Sequence, residues 1–164
     1  MPDTLVMTST RESNKGRQRH LRLLGSLIAL TILGQVVTAC ESTTQDRNEV
    51  IELINQSRVE AGLGPVVENT TLDMKADAWA THLRDACALS HSVLKHDVPQ
   101  VWNKLGENVG FGGTIAQIHE AYLDSPGHRA NIMDPAFTEV GAAAVWGQCG
   151  DQYRVFTVQV FMQP

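Results

Sequence analysis

The sequence contains few aromatic residues and lacks the motifs of several common enzyme classes. Phe, Trp and Tyr make up 5% of the 164 residues, but aliphatic residues and alanine are plentiful enough to build the core of one domain. It has no Gly-Lys-Ser/Thr phosphate loop, no Rossmann glycine spacing and no Gly-x-Ser-x-Gly elbow. A zinc-protease helix would need a second histidine four residues after His119, and none is there. We therefore predict that His119 lies on the surface.

Basic residues are concentrated near the amino terminus, where the chain has the layout of an export signal. Five of them lie between positions 11 and 22, and residues 23–37 are almost entirely apolar. This apolar run is shorter than the roughly 20 residues that a membrane-spanning helix prefers. A signal peptide is therefore favoured over a retained anchor helix.

Residues 37–40 read Val-Thr-Ala-Cys and are similar to a bacterial lipobox, in which the cysteine becomes the lipidated amino terminus. We predict a signal peptide over residues 1–39, a lipidated Cys40 and a polar tether over residues 40–47. The protein would then be exported and lipid-anchored on the outer face of a bacterial cell membrane. Ordinary secretion and an uncleaved anchor are the alternatives.

Cleavage after residue 39 leaves an acidic chain. Eight basic and sixteen acidic residues remain, so the net charge of the mature chain is −8. Nucleic-acid binding depends on a basic surface that neutralises phosphates. We therefore predict no nucleic-acid partner, and a membrane contact through the lipid on Cys40.

Cysteine is also rare, and with Cys40 assigned to the lipid only Cys87 and Cys149 remain. An even pair in an exported domain predicts one disulfide. It would close a loop of about 60 residues and stabilise the fold by about 4 kcal/mol. Two free buried thiols are the main alternative, and a catalytic cysteine is a weaker one.

Hydrophobic periodicity predicts helices followed by a hairpin. Three helices are expected. The first covers residues 46–62, the second begins at a cap at Thr70 or Thr71 and runs to about Leu89, and the third covers residues 115–124 after a cap at Thr114. Residues 139–146 and 153–162 predict two antiparallel strands. The first is rich in small residues that allow a helix to approach closely, and in the second Phe156, Val158, Val160 and Met162 alternate on one face. Helices with a small antiparallel sheet indicate an α+β layered domain.

The segment SPGHRANIM, Ser125–Met133, predicts a short additional helix. Ser125 is a favoured N-cap, and Pro126 suits the first helical position. The positive field of the helix amino terminus disfavours imidazolium, so we expect His128 to be neutral. A surface histidine on a capped turn is the alternative interpretation.

Three polar residues stand among small residues at element boundaries: His91 in SHS, Glu107 in GEN and His128 in PGHR. Two neutral imidazoles and a carboxylate can ligate zinc and leave one position open for water. They can also form a hydrogen-bonded cleft without metal. The glycines next to Glu107 and Asn108 predict a tight turn that brings the backbone near this cleft.

The order of motifs along the chain resembles the CAP superfamily: SHS, GENVG, SPGHRANIM, TEVGAAAV and a closing strand. Members of this superfamily include cysteine-rich secretory proteins, antigen 5 and plant pathogenesis-related proteins. The SPGHRANIM form is similar to the bacterial branch of this family. The resemblance implies a three-layer α-β-α sandwich, and we assign the CAP, or SCP, domain to residues 48–164.

The resemblance also implies a central cleft with two histidines and two acidic residues, which in some members binds zinc or another divalent cation. By motif, His91, Glu107 and His128 match three of these positions. The second acid is where this chain departs, because Ser125 takes that position with Asp124 beside it.

Three functions are compatible with these features. The favoured one is a non-enzymatic binding module for a lipid, an envelope polymer or a protein partner. A metal-assisted hydrolase, with Glu107 as general base and histidines holding metal-bound water, is the alternative. A structural lipoprotein with a vestigial cleft is the third.

Overall fold

The computed structural model describes residues 42–99 and 101–164. The predicted signal peptide and Cys40 lie outside the described residues. The elements, in chain order, are α1 (Thr44–Glu60), β1 (Val67–Glu68), α2 (Thr70–Ala86), β2 (Lys104–Gly112), α3 (Ile115–Asp124), α4 (Pro126–Ile132), β3 (Glu139–Cys149) and β4 (Gln152–Gln163). Among these helices, none is long and apolar enough to cross a membrane.

The four strands form one sheet in the order β1-β3-β4-β2. Strands β3 and β4 form the predicted antiparallel hairpin, and β2 pairs antiparallel with the other side of β4. The two-residue strand β1 was not predicted, and it pairs parallel to β3 with Val67 opposite Glu139. The sheet is therefore mixed rather than purely antiparallel, while the predicted α+β fold is confirmed.

Both faces of the sheet are covered, which gives three layers. Phe156, Val158 and Val160 alternate along β4 and pack against α2 in one core. Val155 and Phe161 point the other way, into a second core with α1, α3 and α4. The predicted alternation of β4 is confirmed, and the sheet is the middle layer of an α-β-α sandwich.

Small residues in β3 let α2 approach the sheet closely, as the sequence predicted. A Cβ atom at Gly141 would lie 2.1 Å from the backbone carbon of Leu72, so no larger residue fits there. Helix α2 is capped by Asn69, whose side chain accepts hydrogen bonds from the amides of Thr71 and Leu72. The predicted cap at Thr70 or Thr71 was wrong by one or two residues.

The predicted tether over residues 40–47 is wrong in its second half, because α1 already begins at Thr44. Ser42 is buried, and its Oγ accepts a hydrogen bond of 2.9 Å from the amide of Ala144 in β3. Arg47 Nε donates to the Ala142 carbonyl at 3.0 Å, and Asp73 accepts from the Ala142 amide at 2.9 Å. These side chains cover the edge of β3 where β1 ends, and burial raises the pKa of Asp73 to about 6.

Arg58, at the end of α1, holds several segments together from a buried position. Its guanidinium donates to the backbone carbonyls of Gly64, Ile132, Asp134 and Phe137 at 2.8–3.0 Å. Burial lowers the pKa of Arg58, and the charge of Asp134 opposes that shift. No pattern in the sequence indicates this role.

Cys87 and Cys149 form the predicted disulfide, with their Cα atoms 5.5 Å apart. The bond joins the carboxyl end of α2 to the end of β3. Helix α2 stops at Ala86 instead of continuing to about Leu89, because Cys87 adopts a left-handed backbone conformation with φ of 48°.

His119 is buried at 6% exposure, so the prediction of a surface position was wrong. Its Nε2 lies 2.8 Å from Ser57 Oγ, across the contact between α3 and α1. In the described part of the chain, its Nδ1 finds no hydrogen-bond partner. Burial lowers the pKa of His119, although the charge of Glu120 acts in the opposite direction.

Candidate functional site

The candidate site lies along β2, which is an edge strand of the described sheet. A tight turn was predicted in the glycine-rich segment 106–114, and it was wrong for residues 106–112, because residues 104–112 pair with β4 in unbroken register. The glycines serve close packing instead. A Cβ atom at Gly110 would lie 2.8 Å from the Tyr122 hydroxyl oxygen, so only glycine lets α3 approach β2 this closely.

Glu107 is buried and accepts three hydrogen bonds from the segment that follows α2. Its Oε1 accepts from His91 Nδ1 at 2.8 Å and from the Ser92 amide at 2.9 Å. Its Oε2 accepts from the Ser92 hydroxyl at 2.5 Å. The carboxylate therefore fixes the position of the His91 segment and has both oxygens engaged.

His91 is held by one ring nitrogen and presents the other. Because a carboxylate only accepts, the proton on Nδ1 is donated to Glu107. A carboxylate that orients a histidine in this way leaves Nε2 to meet a ligand. The His91 side chain is 63% exposed, so Nε2 is open to solvent.

His128 comes from the first turn of α4 and lies against Tyr122, with ring centroids 5.0 Å apart. Burial lowers the pKa of His128, and the nearby imidazole of His91 lowers it further. A neutral His128 was predicted, but the predicted cause was the helix field. Ser125 occupies the N-cap position without a side-chain cap hydrogen bond.

A chain of amides joins α4 to the sheet next to Glu107. Asn108 Nδ2 donates to the His128 carbonyl at 3.1 Å and to Gln159 Oε1 at 3.0 Å. Asn131 Nδ2 donates to Asn108 Oδ1 at 2.9 Å and to the Glu107 carbonyl at 3.2 Å. This network links the two histidine-bearing segments through one strand.

The structure thus brings all three predicted residues to β2. His91 and Glu107 are in direct contact, and His128 lies within electrostatic reach of His91. Sequence reasoning missed Asn131 and Gln159 as supports. The signal for Gln159 was available, since a polar side chain between Val158 and Val160 must point to the opposite face of the strand.

An apolar cleft of about 490 Å³ opens beside His128, between β2 and α3. Val109 and Phe111 line it from the strand, and Ile118 and Tyr122 line it from the helix. The imidazole of His128 contributes one of the few polar groups in its wall. Such a cavity suits a ligand with an apolar body and one hydrogen-bonding group.

The residues present do not make a complete set of metal ligands. Within residues 42–99 and 101–164, no three His, Cys, Asp or Glu side chains are grouped to hold a metal ion. Ser125 lines the cleft at the position where the resemblance implies a second acid, and Asp124 beside it is exposed. Binding of zinc or another divalent cation by His91, Glu107 and His128 stays a prediction.

The chain resembles known proteins in sequence and in fold. The profile of the cysteine-rich secretory protein family, CAP, matches residues 51–161. The uncharacterized protein YkwD of Bacillus subtilis is 29% identical over 125 residues, covering 68% of this chain and 49% of YkwD. The chain therefore spans about half the length of that relative.

Solved structures share the fold. An outer surface protein of Borrelia burgdorferi superposes with a TM-score of 0.64 at 20% identity, covering 74% of this chain and 94% of that one. An extracellular SCP-domain protein of Bacillus anthracis gives a TM-score of 0.61 at 20% identity, covering 73% of this chain and 41% of that one. With the profile match over most of the described residues, the chain belongs to the cysteine-rich secretory protein (CAP) family.

Proposed function

We propose that this protein is an exported lipoprotein whose CAP domain binds an apolar ligand in the cleft between β2 and α3. Residue Cys40 anchors it to the outer face of a bacterial cell membrane, and the ligand's polar group meets His128. The observation that carries the proposal is the largely apolar wall of the cleft with a neutral imidazole in it. The Borrelia and Bacillus proteins of the same fold, described as outer surface and extracellular, support export.

Among ligands, a lipid fits better than an envelope polymer or a protein segment. Carbohydrate polymers present many hydroxyl groups, and each would need a hydrogen-bond partner in an apolar wall. An acyl chain needs none, and each buried methylene contributes about 0.8 kcal/mol. His128, with its pKa lowered by burial, offers a hydrogen bond to the headgroup.

The hydrolase alternative has weaker support. A general base must have an oxygen free to accept a proton from water. Oε1 of Glu107 already accepts two hydrogen bonds and Oε2 accepts one, and the side chain is only 3% exposed, so a water has little access to the carboxylate. Zinc titration monitored by thermal melting tests this alternative directly, because a ligand that binds only the folded state raises the melting temperature. A zinc-dependent rise that His128→Ala abolishes would support it.

The binding proposal is tested with a fluorescent palmitic acid analogue as the probe. Ala121 lines the cleft on α3, so Ala121→Phe fills the space and should weaken binding at least about tenfold. Ala130→Phe, at an exposed position on α4, is the matched control and should leave affinity unchanged. Equal affinity in Ala121→Phe and the native protein would contradict the proposal.

The anchor is tested separately by mass and by fractionation. Native protein should pellet with membranes and carry the added mass of acyl chains, and Cys40→Ser should lose both properties. A native protein without added mass would contradict lipidation while leaving the cleft proposal in place.

A further inference from the structure

A second apolar groove lies on the outer face of α2, away from the cleft beside His128. Its volume is about 680 Å³, and none of its lining residues lines that cleft. Met74, Ala78 and Trp79 form the helical side, and Val98 forms the opposite side. Met74 is 61% exposed, and it shares the groove with Ala78, Trp79 and Val98, so the exposed apolar surface here is a patch and not a single side chain.

Two charged side chains line the groove: Lys75 is turned inward, and Asp97 is exposed at the rim. Lys75 is buried, and its Nζ donates to the carbonyls of Val93 and His96 at 3.1 and 2.8 Å. Trp79 donates its indole N–H to the Ser90 carbonyl at 2.8 Å. The hydrogen-bonding groups of Lys75 and Trp79 are thus satisfied internally. The carboxylate of Asp97 would stay at the level of the lipid headgroups while Met74 and Ala78 enter the apolar region.

The amino-terminal end of the described chain leaves the fold beside this groove. The Ser42 amide donates to Asp77 Oδ1 at 3.3 Å, so the chain is fixed to α2. Met74 lies three residues before Asp77 in α2, so the two side chains are neighbours on the helix surface. Cys40 precedes Ser42 by two residues, which span at most about 7 Å when extended. A lipid on Cys40 would therefore begin within about 7 Å of Ser42, on the side of α2 that carries Asp77 and Met74.

We propose that the α2 groove is the membrane-contacting face of the domain, with the bilayer that holds the Cys40 lipid as its occupant. This inference depends on the proposed lipid anchor and is independent of the ligand in the cleft. Trp79 fits the role, because tryptophan is enriched where protein meets the membrane–water interface. The net negative charge of the chain outside the signal peptide is no obstacle, since the contact is apolar and held by the anchor.

The proposed contact fixes the orientation of the domain. Helix α2 covers one face of the sheet, whereas α3 and α4 pack in the core on the other face. With α2 on the membrane, those two helices point away from it. The cleft would then accept ligands from outside the membrane that anchors the protein.

Native tryptophan fluorescence tests the contact in the full lipoprotein. The protein is reconstituted in vesicles of phosphatidylcholine and phosphatidylglycerol whose acyl chains carry bromine, which quenches nearby tryptophan. We expect quenching in the native protein, and a loss of about half of it or more in Trp79→Phe, because Trp79 lies at the interface. Trp146→Phe is the control, since Trp146 packs in the other core and stacks on Tyr153.

Two charge variants test the surface without removing the reporter. Met74→Asp should reduce the quenching of Trp79, because a carboxylate resists entry into the bilayer. Val59→Asp, at a similarly exposed apolar position on α1, should leave it unchanged. Quenching that is insensitive to both Trp79→Phe and Met74→Asp would overturn the proposal.

Anchoring is measured on the same samples by acyl mass and by pelleting with the vesicles. Anchored protein with unquenched Trp79 overturns the membrane-facing groove and leaves the proposed function intact. That outcome is also expected if the groove binds a soluble protein or small molecule instead. Protein that carries no acyl mass overturns the anchor and, with it, this inference.

Discussion

Replacement of Arg58 by methionine tests whether one buried guanidinium organises the α1, α3 and α4 side of the sandwich. Methionine retains much of the length and apolar character of the stem but donates no hydrogen bond. Four carbonyls lose their donor, on the loop after α1, at the end of α4 and in the segment leading to β3. The variant thus removes polar contacts with little change in packed volume.

The expected magnitude follows from the burial of those carbonyls. The hydrogen bonds to Ile132 and Phe137 are fully buried, whereas water can replace Arg58 at Gly64 and Asp134. Each unsatisfied buried carbonyl costs about 1–3 kcal/mol. Removing a buried charge recovers part of that cost, so we expect a net loss of about 3 kcal/mol. Arg58→Lys keeps the charge but not the planar fork of donors, so its free energy of unfolding should lie between those of the native protein and Arg58→Met.

Urea unfolding monitored by tryptophan fluorescence measures the change in the free energy of unfolding. Arg129→Met is the matched control, because Arg129 is exposed and makes one long hydrogen bond of 3.5 Å to the Leu123 carbonyl. The control should stay within about 0.5 kcal/mol of the native protein. An Arg58→Met variant as stable as Arg129→Met would refute the reasoning.

Three other predictions concern stability. The double variant Cys87→Ser, Cys149→Ser removes the disulfide, whose cysteines are 62 residues apart in sequence. Calorimetry should show that the free energy of unfolding falls by about 4 kcal/mol, and reduction of the disulfide in the native protein should give the same loss. Burial holds the pKa of His119 in the folded protein below its value in the unfolded chain. The stability that the neutral His119 contributes is therefore present above about pH 6.5 and is lost as the pH falls through the folded pKa. His119→Gln should therefore reduce the drop in unfolding free energy between about pH 7.5 and pH 5, and an unchanged drop would contradict this. Gly141→Ala should destabilise the fold by about 3 kcal/mol or prevent folding, because its Cβ meets the backbone of α2, whereas Gly64→Ala meets no atom within 4 Å and should fold normally.

The layers could be predicted from the sequence because local patterns specify them. The alternation along β4 assigned Phe156, Val158 and Val160 to one face, and that face packs on α2. The two-residue strand β1 could not be predicted, since its existence depends on pairing with Glu139, which is distant in sequence. The same is true of Ser42, whose burial follows from the open edge of β3.

The site was predictable in its residues but not in its contacts. Motif resemblance singled out His91, Glu107 and His128, but it gave no sign that both oxygens of Glu107 would be engaged by Ser92 and His91. The error at His119 has a similar cause. Its burial depends on the packing of α3 against α1, and the ten-residue pattern of α3 alone does not reveal which neighbour covers it.

The position of β4 has a consequence for synthesis of the protein. This strand lies between β3 and β2 in the sheet and contributes to both cores, yet it follows every one of its partners along the chain. Strand β2 leaves the ribosome roughly 50 residues before β4 is finished, an interval of about 3–10 s at ordinary translation rates. During that interval neither core can close. We therefore expect a chain that is cut short before residue 152 to lack both cores and to be degraded by proteases faster than the full chain.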